Sequence, residues 1–293
     1  MSTVAYEIVD VFTDRPFAGN PLAVVFGADD LATDQMQALA REFNLSETVF
    51  LLPAVTAGAT HRVRIFTPTA ELPFAGHPSV GSAVTAMRHG LLDAGEVVQE
   101  CGAGLLPITV TAGGSATLTG ASPTLGDPLD PAPLLAAAGL TAADFAGDFP
   151  GVAAPRTAGC GLDWVFLPVR REALARVRVD PRAAEEAGCA DLSVFAWSGT
   201  EAHARVFSST WTVDEDPATG SAALALGVWL VAAGWLPPDG LATYRIHQGV
   251  EMKRPSRLEC TVTAAGGAAV STTVTGHVHP VATGRIAVPP FIG

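Results

Sequence analysis

Apolar and polar residues alternate along several short stretches of the chain, and this pattern predicts β-strands. The stretches are rich in β-branched and aromatic residues and are bounded by turn-forming residues, as strands usually are. They cover residues 6–12, 22–26, 48–52, 61–66, 163–168 and 204–207, with a hairpin over 258–274 that turns at Gly266-Gly267. Clusters of glycine and proline predict loops over 67–78 and 211–217.

Three other stretches predict helices. Residues 34–43 place apolar side chains three and four positions apart, with Thr33 or Asp34 as the N-terminal cap. Residues 79–90 and 218–233 are typical of buried helices, and the first of them ends at a glycine. Because strands and helices do not alternate regularly, we predict an α+β fold. Each half would wrap an antiparallel or mixed sheet around one apolar helix.

One motif occurs twice in the chain. His77-Pro78-Ser79-Val80-Gly81-Ser82-Ala83 recurs 139 residues later as Asp216-Pro217-Ala218-Thr219-Gly220-Ser221-Ala222, and both copies follow the pattern x-Pro-x-x-Gly-Ser-Ala. Two further matches keep the same order at nearly the same spacing, namely 18–22 with 158–162 and 64–66 with 205–207. Three matches in one order predict two copies of one fold.

The Pro- and Gly-rich stretch 122–128 is the predicted linker between the copies. It divides the chain into an N-terminal domain of residues 1–124 and a C-terminal domain of residues 125–293, both within the usual range of domain sizes. The copies differ at the first position of the motif, where one has His77 and the other has Asp216. We therefore expect a site between the two halves.

Composition narrows the class of partner. The net charge of −12 argues against nucleic acid and anionic membranes, and a hydrophobic content of 48% is ample for a core in each half. No apolar run reaches the roughly 18 residues needed to span a bilayer, and we expect no signal peptide. Four cysteines without CxxC spacing fit reduced thiols. We expect a cytoplasmic protein that acts on a small molecule.

The sequence predicts neither a metal site nor a nucleophilic serine or cysteine. His277 and His279 would share one face of a strand, but no further ligand has suitable spacing. None of the cysteines lies beside a histidine. Ser82 and Ser221 lack the G-x-S-x-G context of a nucleophilic serine.

Both copies of the repeated motif lie where a loop meets a predicted helix. Gly81-Ser82 and Gly220-Ser221 are expected in the first helical turn, where backbone N–H groups have no partner within the helix. Such amides bind a carboxylate, or the negative charge that develops as one becomes an enolate. Tight helix packing is the alternative explanation for these small residues.

Three ionisable residues are candidates for acid/base chemistry. His77 lies above a predicted helix start, and Asp216 occupies the equivalent place in the second copy. Glu47 has no such counterpart; it follows a polar turn and precedes an apolar strand, so we expect a partly desolvated carboxylate suited to proton transfer at carbon. Alternatively, His77 is a surface or core residue, Asp216 belongs to a solvated acidic loop, and Glu47 is a polar strand edge.

Segments that contain these residues resemble the phenazine biosynthesis isomerase-like family, which has the diaminopimelate epimerase-like fold. The matching segments are 10–13, 19–24, 44–48, 64–68, 76–78 and 214–222, with weaker matches at 248–249 and 254–256. Together they span nearly the whole chain, and the string Glu-Asp-Pro-Ala-Thr-Gly-Ser-Ala is specific to this family.

The resemblance implies two pseudo-symmetric domains, each a curved sheet or barrel around a central helix. It implies that Glu47 is the catalytic glutamate and that His77, Asp216 and Ser221 are further site residues. The expected substrate-binding residues are Gly76, Gly81, Ser82, Gly220 and Ser221. Family members work without a metal or organic cofactor and are commonly homodimers, so we expect the same here.

On this basis the expected function is a cofactor-independent isomerase. Glu47 would move a proton and a double bond in a small unsaturated or cyclic amino or carboxylic acid, as in dihydro-hydroxyanthranilate isomerase. Related epimerases use two cysteines, and this chain has none at the corresponding places, 75–77 and 216–218. Two alternatives stay open: an epimerase or racemase that uses Glu47 and Asp216 as opposed bases, and a non-catalytic protein that binds a small ligand.

Overall fold

The chain divides into two compact units. The computed structural model describes residues 2–208 and 215–290. Unit 1 comprises Met1–Leu118 and Thr275–Gly293, and unit 2 comprises Thr119–Val274. This differs from the division predicted between residues 124 and 125, because the C-terminal segment belongs to unit 1 and not to the second domain.

Strands outnumber helices in the described residues, as the alternating pattern predicts. The strands are β1 (Thr3–Val11), β2 (Asn20–Phe26), β3 (Glu47–Leu52), β4 (His61–Phe66), β5 (Glu71–Leu72), β6 (Gly95–Cys101), β7 (Gly104–Thr111), β8 (Ser115–Thr119), β9 (Thr124–Pro128), β10 (Arg156–Gly159), β11 (Asp163–Pro168), β12 (Asp191–Ser198), β13 (Glu201–Ser208), β14 (Glu215–Asp216), β15 (Gly240–Gln248), β16 (Ser256–Ala265) and β17 (Ala268–Ala287). The α-helices are α1 (Thr33–Phe43), α2 (Gly76–Arg88), α3 (Pro131–Ala137), α4 (Pro181–Glu186) and α5 (Gly220–Ala232), with 3₁₀ helices at Ala142–Asp144 and Arg171–Arg176. In this described part of the chain, no helix has both the length and the apolarity that crossing a membrane requires.

In unit 1 the strands close into a barrel around α2. Hydrogen-bonded neighbours follow the order β1-β2-β3-β4-β6-β7-β8-β17 and return to β1, with parallel pairs β2–β3 and β4–β6. Helix α2 is buried at every position from His77 to Ala86, because strands surround it. The barrel closes only through the second part of β17, which pairs with β1 from Val11↔Val278 to Thr3↔Ala287. That pairing is why the C-terminal segment belongs to unit 1.

Unit 2 repeats this order of pairings. Its neighbours run β9-β10-β11-β12-β13-β15-β16 and on to the first part of β17, with parallel pairs β11–β12 and β13–β15. Helix α5 is buried from Gly220 to Val231, and its Trp229 packs edge-to-face on Phe195 and Trp235. The matching strand order and the single buried helix in each unit confirm the two copies of one fold that the repeated motif predicts.

A repeated arginine occupies the same place in both copies. On β4 and on β13, an arginine lies over the ring of the phenylalanine two residues later and binds both oxygens of a glutamate on the short strand that follows. The two sets are Arg64, Phe66 and Glu71 in unit 1, and Arg205, Phe207 and Glu215 in unit 2. The sequence match of 64–66 with 205–207 therefore reflects an equivalent structural role.

Some element boundaries differ from the predicted ones for local reasons. Helix α1 begins one residue early because Ala32 is its N-cap, with the Ala32 N–H bonded to the Gln35 side chain at 3.0 Å, so neither Thr33 nor Asp34 is the cap. The predicted linker 122–128 contains β9, which pairs with β10. The predicted loop 67–78 holds β5 and the start of α2. The predicted loop 211–217 ends in β14, and residues 211–214 lie outside the described residues.

Candidate functional site

Glu47 lies at the first position of β3, buried in unit 1. Asn44, in the left-handed conformation at φ 50°, ends α1 and turns the chain toward this strand. Glu47 then pairs with Leu22 of the parallel strand β2, and every residue of β3 is buried. The exposed fraction of Glu47 is only 8%. The position therefore agrees with the expected partly desolvated carboxylate and not with a polar strand edge in water.

His77 faces Glu47 from the start of α2. The helix begins at Gly76, three residues before the predicted start, so His77 lies in the first turn and not in a loop above it. Its Nε2 atom lies 3.4 Å from Oε2 of Glu47, and its Nδ1 atom lies 3.3 Å from the amide nitrogen of Asn20. Ser46 donates to Oδ1 of the same Asn20 side chain at 3.1 Å. The structure thus brings the two predicted unit 1 residues together and holds the ring from its other edge.

The His77 ring is neutral in the folded protein. Burial lowers the pKa of His77 from 6.5 to about 3, and a hydrogen bond with the carbonyl of Pro21 offsets only part of that effect. A neutral imidazole offers one N–H donor and one acceptor nitrogen. It lies beside the Glu47 carboxyl group without adding a positive charge. The structure therefore places an uncharged ring next to a buried carboxyl group.

We expect His77 to show no ring titration between about pH 5 and 8 in NMR spectra of the folded protein. In the unfolded chain the ring protonates near 6.5, whereas in the folded chain it protonates only near 3. The unfolded state therefore binds more protons below pH 6.5, and the free energy of unfolding falls as the pH drops from about 6.5 to about 3.

Chemical unfolding at several pH values checks the same point. Stability should depend less steeply on pH in His77→Gln than in wild type, because the variant lacks the His77 ring. Some dependence of the same sign should remain, because burial also lowers the pKa of His61, to about 4. A His77 ring that titrates near 6.5 in the folded protein would contradict this assignment.

Asp216 is buried at the end of β14 in unit 2, where a small network holds it. Thr219 donates from its hydroxyl group to Oδ2 of Asp216 at 2.5 Å. Gln248 donates from Nε2 to the Asp216 carbonyl at 2.7 Å and to the Thr219 hydroxyl at 3.0 Å. With an exposed fraction of 5%, Asp216 is not part of a solvated loop. Its neighbour Asp214 lies outside the described residues.

Thr219 and Gln248 were not among the predicted site residues. The weak family match at Gln248-Gly249 was the available signal, and the structure gives it a physical meaning. Gly249 has φ +71°, and a Cβ atom there would lie 2.7 Å from the carbonyl oxygen of Pro217 and 2.4 Å from that of Arg254. A side chain at position 249 would therefore push against the segment that carries Asp216.

The two helix starts differ, although their motifs match. Helix α5 begins at Gly220, so Gly220 and Ser221 lie in its first turn, as predicted. The Ser221 hydroxyl accepts a hydrogen bond from Nε1 of Trp164 at 3.1 Å. The first N–H groups of a helix have no partner within it, so this turn can bind an anion.

In α2 the predicted first-turn position of Gly81 and Ser82 is wrong. These residues lie in the second turn, where backbone N–H groups are bonded within the helix. A Cβ atom at Gly81 would lie 2.5 Å from a methyl group of Leu22, which supports the alternative explanation of tight helix packing. Gly76 takes the first position of α2, and its role in substrate binding stays a prediction.

The donor groups that could hold a metal ion lie elsewhere. Among the described residues, the cluster with suitable donors is Glu201, His203 and His247, on β13 and β15. It contains none of the predicted site residues. No sequence motif indicates this cluster, because its members come from two strands that are far apart along the chain.

Three comparisons with known proteins bear on this site. The family model for phenazine biosynthesis-like proteins (PhzC-PhzF) matches residues 9–284. An uncharacterized isomerase of Mesorhizobium japonicum is 38% identical and aligns over 98% of this chain and 99% of its own length. The trans-2,3-dihydro-3-hydroxyanthranilate isomerase of Pseudomonas aeruginosa is 35% identical, over 96% of this chain and 98% of that protein. The structure of the Bacillus anthracis phenazine biosynthesis protein of the PhzF family superposes with a TM-score of 0.86 at 26% identity, covering 98% of this chain and 100% of that one.

Proposed function

We propose that this chain, which belongs to the family of phenazine biosynthesis-like proteins, acts on a small unsaturated or cyclic amino or carboxylic acid. The chain is an isomerase of the diaminopimelate epimerase-like fold. The observation that carries this proposal is the buried carboxyl group of Glu47, 3.4 Å from the neutral ring of His77. A carboxyl group shielded from bulk water can take up a proton and hold it against exchange with solvent. Glu47 is therefore the proposed acid/base group.

The proposed reaction moves one proton and one double bond. Glu47 removes a proton from an acidic carbon of the substrate, and the electron pair of that C–H bond enters the conjugated system. The protonated Glu47 then returns a proton at another carbon of the same system, so substrate and product have the same composition. In this proposal His77 stays beside the carboxyl group without adding a charge, and Asp216 assists the transfer. No oxidant or reductant is needed.

The proposed anion-binding element is the first turn of α5. In this proposal the amides of Gly220 and Ser221 bind the substrate carboxylate and stabilise the negative charge that develops on it. The Trp164 N–H bonded to Ser221 fixes that side chain at the helix start. Asp216 lies just before the same helix, held by Thr219 and Gln248.

The first compound to test is trans-2,3-dihydro-3-hydroxyanthranilate, because the relative from Pseudomonas aeruginosa is named for its isomerisation. Proton NMR in D₂O should show a shifted double bond in the presence of the protein. The product should carry at most one deuterium, and less where the shielded Glu47 returns the original proton.

The outcomes of this experiment separate the candidate functions. Conversion with a shifted double bond supports the proposed reaction. Inversion at the α-carbon of an amino acid without double-bond migration would replace it with epimerisation. If the compound binds but stays unchanged, it is excluded as the substrate, and other unsaturated amino and carboxylic acids are assayed in the same way.

A further inference from the structure

Strands β13 and β15 place two histidines side by side on one face of unit 2. The strands run parallel, with Glu201 opposite Arg245 and His203 opposite His247. Side chains alternate along a strand, and Ala202 and Ala204 are buried. Glu201 and His203 therefore share the other, partly exposed face of β13, next to the matching face of β15.

The side chains on this face are already close together. The rings of His203 and His247 stack with centroids 4.7 Å apart and planes inclined by 18°. Nε2 of His247 lies 3.4 Å from Oε2 of Glu201. One donor atom from each of the three residues lies within 4.8 Å of the others. Two imidazoles and one carboxylate thus converge on one face of unit 2.

We propose that Glu201, His203 and His247 bind one divalent transition-metal ion of the zinc type. Two imidazole nitrogens and one carboxylate oxygen suit zinc, nickel or copper, whereas magnesium and calcium prefer oxygen ligands alone. In a tetrahedral zinc site the donors lie about 3.4 Å apart, given metal–ligand distances of about 2.0–2.2 Å. Glu201 and His247 already lie at this distance, 3.4 Å, and the other donor separations need to shorten by at most about 1.4 Å, through small side-chain rotations. Such rotations are feasible because the side chains are partly exposed, 29% for His247 and 42% for Glu201.

Arg245 supports this arrangement of the carboxylate. Its Nη1 atom binds Oε1 of Glu201 at 2.8 Å, which leaves Oε2 directed toward His247. An outer hydrogen-bonding partner of this kind orients a metal ligand. The positive charge of Arg245 is itself balanced by Glu259, at 3.0 Å from its Nε atom, so it does not simply repel a cation.

The proposed ion would tie together the two strands that support Asp216. Strand β13 carries Arg205, which binds Glu215, and Gln248 of β15 directly follows His247. None of the proposed metal ligands takes part in the proposed isomerisation. Metal binding and turnover are therefore independent claims, and either can fail alone.

Calorimetric titration of the tag-free protein with Zn²⁺ at about pH 7.5 tests the proposal. Wild type should bind one ion per chain, and saturating Zn²⁺ should raise its melting temperature. His203→Ala and His247→Ala should each weaken Zn²⁺ binding by at least about 10- to 100-fold, because loss of an outer-shell partner alone has an effect of that size. Mg²⁺ should not compete. With Co²⁺ as a probe, the spectrum should lack a thiolate charge-transfer band, because the proposed ligands include no cysteine.

His277→Ala is the matched control, because this exposed histidine on β17 lies outside the cluster and should leave Zn²⁺ binding unchanged. Glu201→Gln and His203→Gln keep the size of the side chains and replace any alanine variant that fails to fold. Saturable binding that persists in the His203 and His247 variants would overturn the proposal, as would the absence of saturable binding in wild type.

Discussion

Glu47→Gln is expected to lower kcat for the isomerisation by about 10²- to 10⁴-fold, the usual contribution of a general acid/base. Glutamine has nearly the same size as glutamate and fits the buried position of Glu47. Its amide group cannot accept a proton from carbon, so the chemical step fails while the substrate still binds. Turnover followed by NMR, with calorimetric binding of the same compound, measures the two effects separately.

Glu42→Gln is the matched control for this substitution. Glu42 is exposed near the end of α1, five residues before Glu47, and the substitution removes the same charge. Its kcat should equal that of wild type. A Glu47→Gln variant that keeps a rate close to wild type would exclude Glu47 as the acid/base group.

Asp216→Asn separates an assisting role from that of a second base. Under the proposed mechanism this variant turns over more slowly, but Glu47 still removes the proton from the substrate carbon, as NMR of the substrate would show. If cleavage of this C–H bond is lost in Asp216→Asn and kept in Glu47→Gln, the roles of the two carboxyl groups are reversed.

The sequence predicts the duplicated fold well because its signals are local. The x-Pro-x-x-Gly-Ser-Ala motif and the matched arginines recur in order, and each lies at the same point in the two copies of the fold. The closure of the unit 1 barrel is different, since it depends on pairing Thr3 with Ala287. Such long-range pairing leaves no periodic pattern, so the domain division drawn from the linker alone misses the final strand.

The repeated motif does not determine by itself where α2 begins. Proline is tolerated in the first turn of a helix, where its missing N–H group is not needed. Pro78 is the third residue of α2, which begins two residues before it. In the second copy Pro217 precedes α5 and lies outside the helix. The same motif thus has two local structures, and this difference moves Gly81 out of the first turn while Gly220 stays in it.

The identity of the site's acid/base candidates was easier to predict than their supports. Glu47 and His77 fall in recognisable segments, and the structure places them together. Asn20 and Ser46 lie in those segments as well, but nothing in their residue type indicates that they adjoin the His77 ring. Hydrogen-bond partners follow from the packing of β2 against α2, which the sequence alone does not determine.

Arg205→Ala is expected to destabilise the protein by about 3–5 kcal/mol, the usual cost of removing one partner of a buried ion pair. The exposed fractions of the Arg205 and Glu215 side chains are only 7% and 15%. The same guanidinium also donates to the backbone carbonyls of Leu174 and Val177. The variant therefore leaves a carboxylate and two carbonyl groups short of their donor in a buried place. Because Glu215 directly precedes Asp216, the loss should also displace the proposed assisting group.

The repeat supplies the control for this prediction. Arg64 and Glu71 form the equivalent pair in unit 1 with the same bidentate geometry, but their exposed fractions are 25% and 38%. Water can replace part of that interaction, so Arg64→Ala should cost no more than about 1 kcal/mol. Urea unfolding of the two variants beside wild type compares these costs. Equal losses of stability would mean that burial does not decide the strength of the repeated pair.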